Sequence, residues 1–392
     1  MDIFIRNLTN FPILDFEMVE RKGLGHPDTI CDEIAEAVSV ALSQYYLEHF
    51  GTILHHNVDK ALLVGGLSAP KFGGGQIKHP MELIIAGRAT HLIKEHLVPI
   101  DEIAINTAKD WLKKHLRYLD VENTVTIIPK IRSGSQDLVA LFERFGMGEV
   151  PFSNDTSFGV GFYPLSALEN QVLAIEKLLR HPETQKAFPC IGEDTKVMGV
   201  REYDKFYFTV AIAMVDQYIP HIQAYVDQVE KIKNHLASRL NLEASQFFIN
   251  TADDYTKESV YLTITGCSAE NGDDGQVGRG NRINGLITPY RPMSLEATAG
   301  KNAISHVGKI YNLWANEVCR DLCKNGLAGA AEIFIVSQIG KPINEPTLLD
   351  IRIQDAEASE DEIKSFVRGK LQEMPFIWKQ VLSAKHPFEP FS

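Results

Sequence analysis

Cysteine is scarce in this sequence, and its distribution excludes a scaffold built on disulfide bonds. The 392 residues contain five cysteines, an odd number, and they are scattered along the chain. Cys319 and Cys323 are one helical turn apart, but no second pair or neighbouring histidine accompanies them. This spacing favours packing within a helix over a metal site. We therefore expect reduced thiols, as in a cytoplasmic protein.

Long hydrophobic runs are also missing. The longest, Phe206–Val215, is too short to cross a bilayer and predicts a buried strand. The first eight residues carry Asp2 and Arg6 within an apolar stretch and have no basic leader, so no signal peptide is predicted. A cytoplasmic location with no membrane partner is expected.

An excess of positive charge is the third absence. The formal net charge of −12 argues against a general binder of nucleic acid or of anionic membranes, because both would be repelled at long range. The phosphate loop of Walker-type nucleotide-binding proteins is absent, and no GxGxxG motif links a strand to a helix. Any phosphate site must therefore be built in another way.

Strand-like and amphipathic helical segments alternate without a strict βαβ order, which indicates an α+β fold with sheets covered by helices. The length predicts two or three domains. The predicted strands are Ala61–Leu67, Glu82–Ala89, Thr124–Ile131, Phe206–Val215, Val260–Gly266 and Glu332–Ile339. The predicted helices are Thr29–Phe50, Asp101–Leu116, Leu165–Arg180, Pro220–Leu240, Asn302–Cys323 and Ser359–Glu373.

The segment Glu20–Asp32, ERKGLGHPDTICD, places chemistry at a predicted helix N-terminus. Such a terminus offers unpaired N–H groups and a partial positive charge, which attract phosphate. His26 could add a hydrogen bond and Asp28 a ligand for Mg²⁺. An ordinary helix cap with a surface histidine is the alternative that the local spacing leaves open.

A second block, from Gly272 to Asn312, is rich in glycine and locally basic. Between Asp273 and Lys309 it holds five Lys or Arg residues and three acidic residues. The glycines predict a backbone that ligand oxygens can approach closely. Lys301 stands at the head of the helix predicted from Asn302, and Asp273 or Asp274 would suit Mg²⁺. A solvated loop and a nucleic-acid loop of RGG type remain alternatives.

Three shorter polar turns accompany these blocks. They are Arg132–Asp137, Asn154–Gly161 and Gly192–Gly199, and each contains a glycine and at least one carboxylate. Taken singly, each turn fits a plain loop better than a binding site.

Together, the motifs ERKGLGHPDTICDEIAEAV, NDTSFGVG, GEDTKVMGVR and GDDGQVGRGNRINGLITPYRPMSLEATAGKNAISHVGKIYN resemble the archaeal-type branch of the S-adenosylmethionine synthetases, the methionine adenosyltransferases. The resemblance implies formation of S-adenosyl-L-methionine, phosphate and diphosphate from ATP, L-methionine and water. It implies about two Mg²⁺ ions per site, K⁺, and a homodimer or dimer of dimers with active sites at the subunit interface. It also implies three similar α+β domains in a pseudo-threefold arrangement, with approximate and interwoven subdivisions at 1–122, 123–255 and 256–392.

The resemblance also implies roles for individual residues. His26 would contact the departing 5′-oxygen of ATP, and Asp28 and Asp273 would bind Mg²⁺, with Asp274 as the alternative to Asp273. Three cations would hold the phosphates: Lys196, Arg279 and Lys301. Further contacts with ATP or methionine are implied for Glu20, Gly134, Ser135, Asp137, Asp155, Asp194 and Lys309.

Two positions depart from the bacterial and eukaryotic pattern of that family. Thr29 follows GHPD, and Gly280 follows Arg279, where those enzymes carry lysine. Arg282, Lys309 or other cations are expected to compensate. No motif places the glutamate that would hold K⁺.

Overall fold

The computed structural model describes residues 3–8, 14–134 and 150–383. It confirms the predicted α+β class. The described strands form three larger sheets and two short hairpins, and helices cover one face of each larger sheet. No helix among the described residues is long and apolar enough to cross a membrane.

The elements of the described residues are numbered in chain order. The strands are β1 (Ile3–Asn7), β2 (Phe16–Lys22), β3 (His56–Val64), β4 (Leu67–Ala69), β5 (Gln76–His79), β6 (Met81–Ala89), β7 (Leu92–Ile93), β8 (His96–Leu97), β9 (Val125–Ser133), β10 (Phe158–Tyr163), β11 (Ile191–Glu202), β12 (Lys205–Val215), β13 (Phe247–Ile249), β14 (Leu262–Thr263), β15 (Gly275–Gln276), β16 (Ala330–Val336) and β17 (Leu348–Gln354). The α-helices are α1 (Pro27–Phe50), α2 (Ile100–His115), α3 (Val121–Thr124), α4 (Ala167–Leu179), α5 (Pro182–Ala187), α6 (Ile222–Leu240), α7 (Val307–Lys324), α8 (Glu360–Glu373) and α9 (Ile377–Ser383).

Each larger sheet has its own hydrophobic core. The sheet of order β15-β3-β6-β9 packs against α1 and α2, and that of order β13-β12-β11-β2 against α4 and α6. The sheet of order β1-β17-β16-β10 packs against α7 and α8. Strands from distant parts of the chain share a sheet, since β1 pairs with β17 and β2 with β11. The subdivisions at 122 and 255 stay a prediction.

Several predicted elements have different bounds in the structure; the strand predicted over Ala61–Leu67, for example, runs over His56–Val64. The helix predicted from Asn302 begins at Val307, because His306 caps it by accepting the N–H of Gly308 at 3.2 Å. The strand predicted over Val260–Gly266 pairs only at Leu262–Thr263, where it lies beside β12. The prediction also missed β2 and β11, which carry several candidate site residues.

Candidate active site

The start of α1 is the centre of the candidate site. His26 is the N-cap residue, and its Nδ1 accepts the backbone N–H of Asp28 at 3.2 Å. Pro27 follows at the first helical position, where its missing N–H costs nothing. Burial, reinforced by the Lys22 ammonium, lowers the pKa of His26 to about 4. The ring is therefore neutral near pH 7, and Nε2 carries its proton as a donor.

Charged side chains on two paired strands converge beside this terminus. Strands β2 and β11 are antiparallel neighbours, with Lys196 opposite Lys22. Glu20 lies between the two lysines: its carboxylate is 3.7 Å from the Nζ of Lys22 and 3.4 Å from that of Lys196. The Nζ of Lys22 also donates to Asp28 at 2.9 Å and to the carbonyl of Arg279 at 2.7 Å. Lys22 is a site residue that the sequence reasoning missed.

The loop from Gly272 to Arg291 is held against α1 by its own backbone. The N–H groups of Gln276 and Gly278 donate to the carboxylates of Asp28 and Asp32. A Cβ built on Gly280 would lie 2.2 Å from Oδ2 of Asp32. The prediction that these glycines open the backbone to a ligand is therefore wrong for this part of the loop. They permit close contact with α1 instead.

The charged residues of this loop that are exposed to solvent are Asp273, Asp274 and Arg279. The Arg279 side chain is 68% exposed and its Nε is 3.9 Å from Oδ1 of Asp28. Asp274 accepts the N–H of Gly65 at 2.8 Å, so its carboxylate is engaged in holding the loop. Among the described residues, the exposed Asp273 carboxylate has neither a hydrogen bond nor an ion pair. This difference favours Asp273 over Asp274 as a ligand.

Asp194 is buried, and the charge of Asp273 acts on it. It lies on β11 and accepts hydrogen bonds from the N–H and the hydroxyl of Ser268, and at 3.5 Å from the hydroxyl of Tyr261. Burial raises the pKa of Asp194 to about 6. Its contacts hold the turn that leads into the Gly272 loop, so the described geometry places it beneath the site.

Lys301 lies apart from this group. Its Nζ is 3.4 Å from Asp59 and 3.4 Å from Glu296, and its side chain is buried. The expectation that Lys301 heads a helix is wrong, since α7 begins at Val307. Ser157 donates to Glu296 at 2.9 Å, which brings the exposed turn of Asp155 to the same region. Asp59 and Glu296 were not predicted as site residues; a single acid, whether on a strand as Asp59 or in a loop as Glu296, gives little sequence signal.

Two further cations are turned inward. Lys309 is 2% exposed, and its Nζ donates to both carboxylate oxygens of Glu36 at 2.6 and 2.7 Å. Arg282 donates to the carbonyls of Gly278 and Gly280 in its own loop. In this arrangement both cations are held by the protein itself. The structure thus places Lys309 in a buried ion pair rather than at an exposed phosphate site.

Three further predicted residues, Gly134, Ser135 and Asp137, follow β9 in the sequence. Gly134 is the last described residue of that segment, whereas Ser135 and Asp137 lie outside the described residues.

The described site residues, apart from Gly134 and the buried Lys309, therefore form two groups. The first group, at the α1 N-terminus, comprises Glu20, His26, Asp28, Asp194, Lys196, Asp273 and Arg279, together with Lys22. The second group comprises Asp155, Asp59, Glu296 and Lys301. Asp28 and Glu36 are eight residues apart on α1, which corresponds to about 12 Å along the helix axis. The buried Glu36 accepts the N–H of Gly300, next to Lys301, so the second group adjoins a more distant part of α1.

Within the described residues, no cluster of three or more His, Cys, Asp or Glu side chains could hold a metal ion alone. This donor set suits Mg²⁺, which commonly takes one or two carboxylates and completes its shell with phosphate oxygens and water. Each oxygen of Asp28 accepts one hydrogen bond and keeps a further lone pair. The first group therefore fits a metal that arrives with a phosphorylated substrate.

Comparison with known proteins identifies the family. The sequence profile of S-adenosylmethionine synthetase (AdoMet synthetase) matches residues 2–385. The chain belongs to the S-adenosylmethionine synthetase family. The predicted family is confirmed, and with it the assignment of the chain as a methionine adenosyltransferase.

Similar proteins agree over nearly the whole length. The chain is 48% identical to an S-adenosylmethionine synthase of Methanocaldococcus jannaschii, over 98% of each sequence. It is 50% identical to one of Sulfolobus acidocaldarius, covering 91% of this chain and 90% of the relative. The solved structure of an unusual S-adenosylmethionine synthetase from Campylobacter jejuni covers 96% of both chains with a TM-score of 0.63. At 16% identity, that last likeness concerns the fold alone.

Proposed function

We propose that the chain forms S-adenosyl-L-methionine from ATP and L-methionine, with the reacting atoms held at the α1 N-terminus. The lone pair of the methionine sulfur forms the bond to C5′ as the C5′–O bond breaks, and that electron pair leaves with the triphosphate. Water then cleaves the tripolyphosphate to phosphate and diphosphate. Near-full-length likeness to S-adenosylmethionine synthases supports the overall reaction.

The observation that carries the proposal for the site is the neutral His26 at the N-terminus of α1. A thioether is nucleophilic without losing a proton, so the first step needs no general base. It needs stabilisation of the charge that develops on the leaving oxygen. The Nε2–H of His26 would donate to that oxygen, and the N-terminal end of α1 would favour the same negative charge.

The other residues of the first group would hold the rest of the nucleotide. Arg279 would grip phosphate oxygens with its planar fork, and Lys196 would act as a point charge. Glu20, between lysines, would lie near the nucleoside. Asp194 would not contact the nucleotide itself; it would hold the turn at Ser268, which leads into the Gly272 loop. Residues Gly134, Ser135 and Asp137 stay proposed contacts to ATP.

Two carboxylates of the first group would bind metal ions. Enzymes of this family are generally metal-dependent. Asp28 and Asp273 would hold Mg²⁺, with about two ions per site, and the bound ion would supply positive charge to the triphosphate. K⁺ is proposed as an activator on the family resemblance alone, without an assigned ligand.

The separation of the two groups supports a homodimer, or a dimer of dimers, with active sites between subunits. In a two-fold dimer, Lys301 and Asp155 of one subunit would face the first group of its partner. Apolar side chains on the uncovered sheet faces offer an apolar surface for such contact. These side chains, each at least 37% exposed, include Phe4, Phe16, Met18, Leu62, Val64, Phe158, Val200 and Leu348. A cytoplasmic enzyme without nucleic-acid or membrane partners completes the proposal.

One reaction tests this function. Purified protein is incubated with ATP, L-methionine, Mg²⁺ and K⁺, and S-adenosylmethionine, diphosphate and phosphate are followed by chromatography. Equal amounts of all three support both steps. Tripolyphosphate in place of phosphate and diphosphate would contradict the hydrolytic step, and absence of S-adenosylmethionine above the enzyme-free blank would contradict the transfer.

A further inference from the structure

Lys22 is a buried cation for which neither the sequence motifs nor the proposed mechanism provides a role. Its side chain is 10% exposed, and its Nζ is fixed by the Asp28 carboxylate, the Arg279 carbonyl and, more distantly, Glu20. Each partner belongs to the first group. The ammonium is therefore positioned in advance at the point where the triphosphate and the metal would meet.

The charges around Asp28 change when a divalent cation binds there. At present the Lys22 ammonium neutralises the carboxylate across 2.9 Å. A metal ion on the same carboxylate would place a second positive charge beside Lys22 in a partly buried position, and the two would repel. An anion that contacts both the metal and the ammonium removes this repulsion, and the triphosphate is such an anion.

Neither Lys309 nor Arg282 forms an ion pair with Asp28 in the described structure. Lys309 is buried against Glu36, and Arg282 donates to the carbonyls of its own loop. A side chain at position 280 would collide with Asp32, so the residue after Arg279 must stay a glycine in this conformation. Lys22 is the additional cation that points into the first group between Asp28 and Arg279.

We propose that Lys22 is a phosphate-binding residue, which holds the triphosphate of ATP and the tripolyphosphate formed from it. This assignment rests on the proposed function. The alternative is that Lys22 serves only to neutralise Asp28 and to hold the Arg279 loop. The two roles differ in whether the positive charge itself contributes to binding an anion.

Lys22→Gln separates these roles, because glutamine keeps N–H donors for Asp28 and for the Arg279 carbonyl but carries no charge. Calorimetry would measure binding of inorganic tripolyphosphate, with and without Mg²⁺, and of adenosine, which has no phosphate. Lys22→Arg keeps the charge. Lys257→Gln is the matched control, since Lys257 is 79% exposed and pairs with Asp254 on the surface.

We expect Lys22→Gln to weaken tripolyphosphate binding by about tenfold to a hundredfold, the range for a charge-assisted hydrogen bond, and to leave adenosine affinity unchanged. Lys22→Arg should stay near wild type, and Lys257→Gln should match it. Unchanged tripolyphosphate affinity in Lys22→Gln, or an equal loss for adenosine, would overturn the assignment. If the wild type forms S-adenosylmethionine, a negative result with Lys22→Gln refutes only the role of Lys22. If the wild type neither reacts nor binds tripolyphosphate, the proposed function is refuted as well.

A measurement on the wild type covers the case in which Lys22→Gln does not fold. The acetylation rate of Lys22 in the native protein is followed by mass spectrometry with Mg²⁺, in the presence and absence of tripolyphosphate. Protection of Lys22 by tripolyphosphate, with no protection of Lys257, supports the assignment. An unchanged rate at Lys22 overturns it.

Discussion

At the residue scale, the neutral state of His26 depends on its surroundings more than on the imidazole itself. The ring loses solvent at the N-terminus of α1 and faces the ammonium of Lys22, and both effects disfavour a second proton. Its Nδ1 is occupied by the N–H of Asp28. One hydrogen-bond donor, Nε2–H, is thereby oriented and available at all pH values well above 4.

Replacing His26 with Ala should lower the turnover number for S-adenosylmethionine formation by about a hundredfold to a thousandfold, the usual effect of losing one donor to a developing oxyanion. ATP affinity, measured by calorimetry, should change little because the cations remain. His79→Ala, at an exposed position, is the control. Near-normal turnover in His26→Ala would remove this residue from the mechanism.

His56 illustrates a buried histidine with a structural role. Its Nδ1 donates to the carbonyl of Leu54 at 3.0 Å, and Nε2 lies 2.9 Å from the hydroxyl of Ser39. The side chain is fully buried, and burial lowers its pKa to about 3. The folded state therefore keeps a neutral His56 under conditions in which the unfolded chain binds a proton.

This shift predicts a loss of stability in acid. The folded pKa lies below the unfolded value of 6.5, so the stabilisation is complete above pH 6.5 and falls as the pH drops towards 3. His56→Gln should remove about 1.4 kcal/mol per pH unit from the slope of unfolding free energy against pH below 6. Denaturant unfolding of the wild type and of His56→Gln between pH 7 and 4 measures this slope. Equal slopes for the two proteins would contradict a lowered pKa of His56 in the folded state.

At the scale of elements, the Gly272–Arg291 loop shows how a glycine-rich segment becomes rigid. Its backbone donates to Asp28 and Asp32 on α1, and the side chain of Asn281 exchanges hydrogen bonds with the backbone of Lys22. Residues 20 and 287 pair as an isolated bridge. The loop thus joins α1 and β2, and this connection positions Arg279.

Gly280→Ala tests the contact between this loop and α1. A methyl group at this position would overlap the Asp32 carboxylate, and such overpacking commonly costs about 1–3 kcal/mol of unfolding free energy. Gly369→Ala is the matched control, because Gly369 lies in α8 with no atom within 4 Å of a Cβ. The control should be stabilised by about 0.5–1 kcal/mol. Thermal unfolding measures the stability of both variants against the wild type. A Gly280→Ala variant as stable as the wild type would show that the loop is not packed closely against α1.

At the scale of the whole molecule, the candidate site is divided between two regions of one chain. The first group surrounds the N-terminus of α1, whereas Lys301 pairs with Asp59 on β3 and follows Gly300, which donates to Glu36 further along the same helix. Neither group by itself contains the full set of cations that the proposed reaction uses. This division is the reason for our proposal that a second subunit completes each site.

Hybrid dimers test that arrangement. If each site combines the first group of one subunit with the second group of its partner, then Asp28→Asn and Lys301→Met in different subunits leave one intact site per hybrid. Equal mixing with random exchange should restore about a quarter of wild-type activity. Mixing Asp28→Asn with His26→Ala, both in the first group, should restore none. Verified exchange without recovery in the first mixture would contradict shared sites.

Short-range patterns were sufficient for some parts of this protein. The ERKGLGHPD motif, with its cap and its proline, predicts α1 and the placement of His26 and Asp28, because these features act within one helical turn. Strand β2 was missed because it pairs with β11 across more than 170 positions. Strand β11 was missed as well, although it also forms a hairpin with the predicted strand β12. The start of α7 was predicted too early because the segment before it packs as a turn.

The sequence by itself therefore determined the fold class, the family and the local chemistry at the start of α1, which depend on composition, periodicity and contiguous motifs. Only the tertiary structure decided which cations face the site. Lys309 and Lys22 are both lysines beside glycine, yet Glu36 encloses one and Asp28 directs the other towards the candidate active site. The reason is physical: the environment of a side chain is set by residues distant in sequence, and the position of a charge, rather than its presence, decides what it binds.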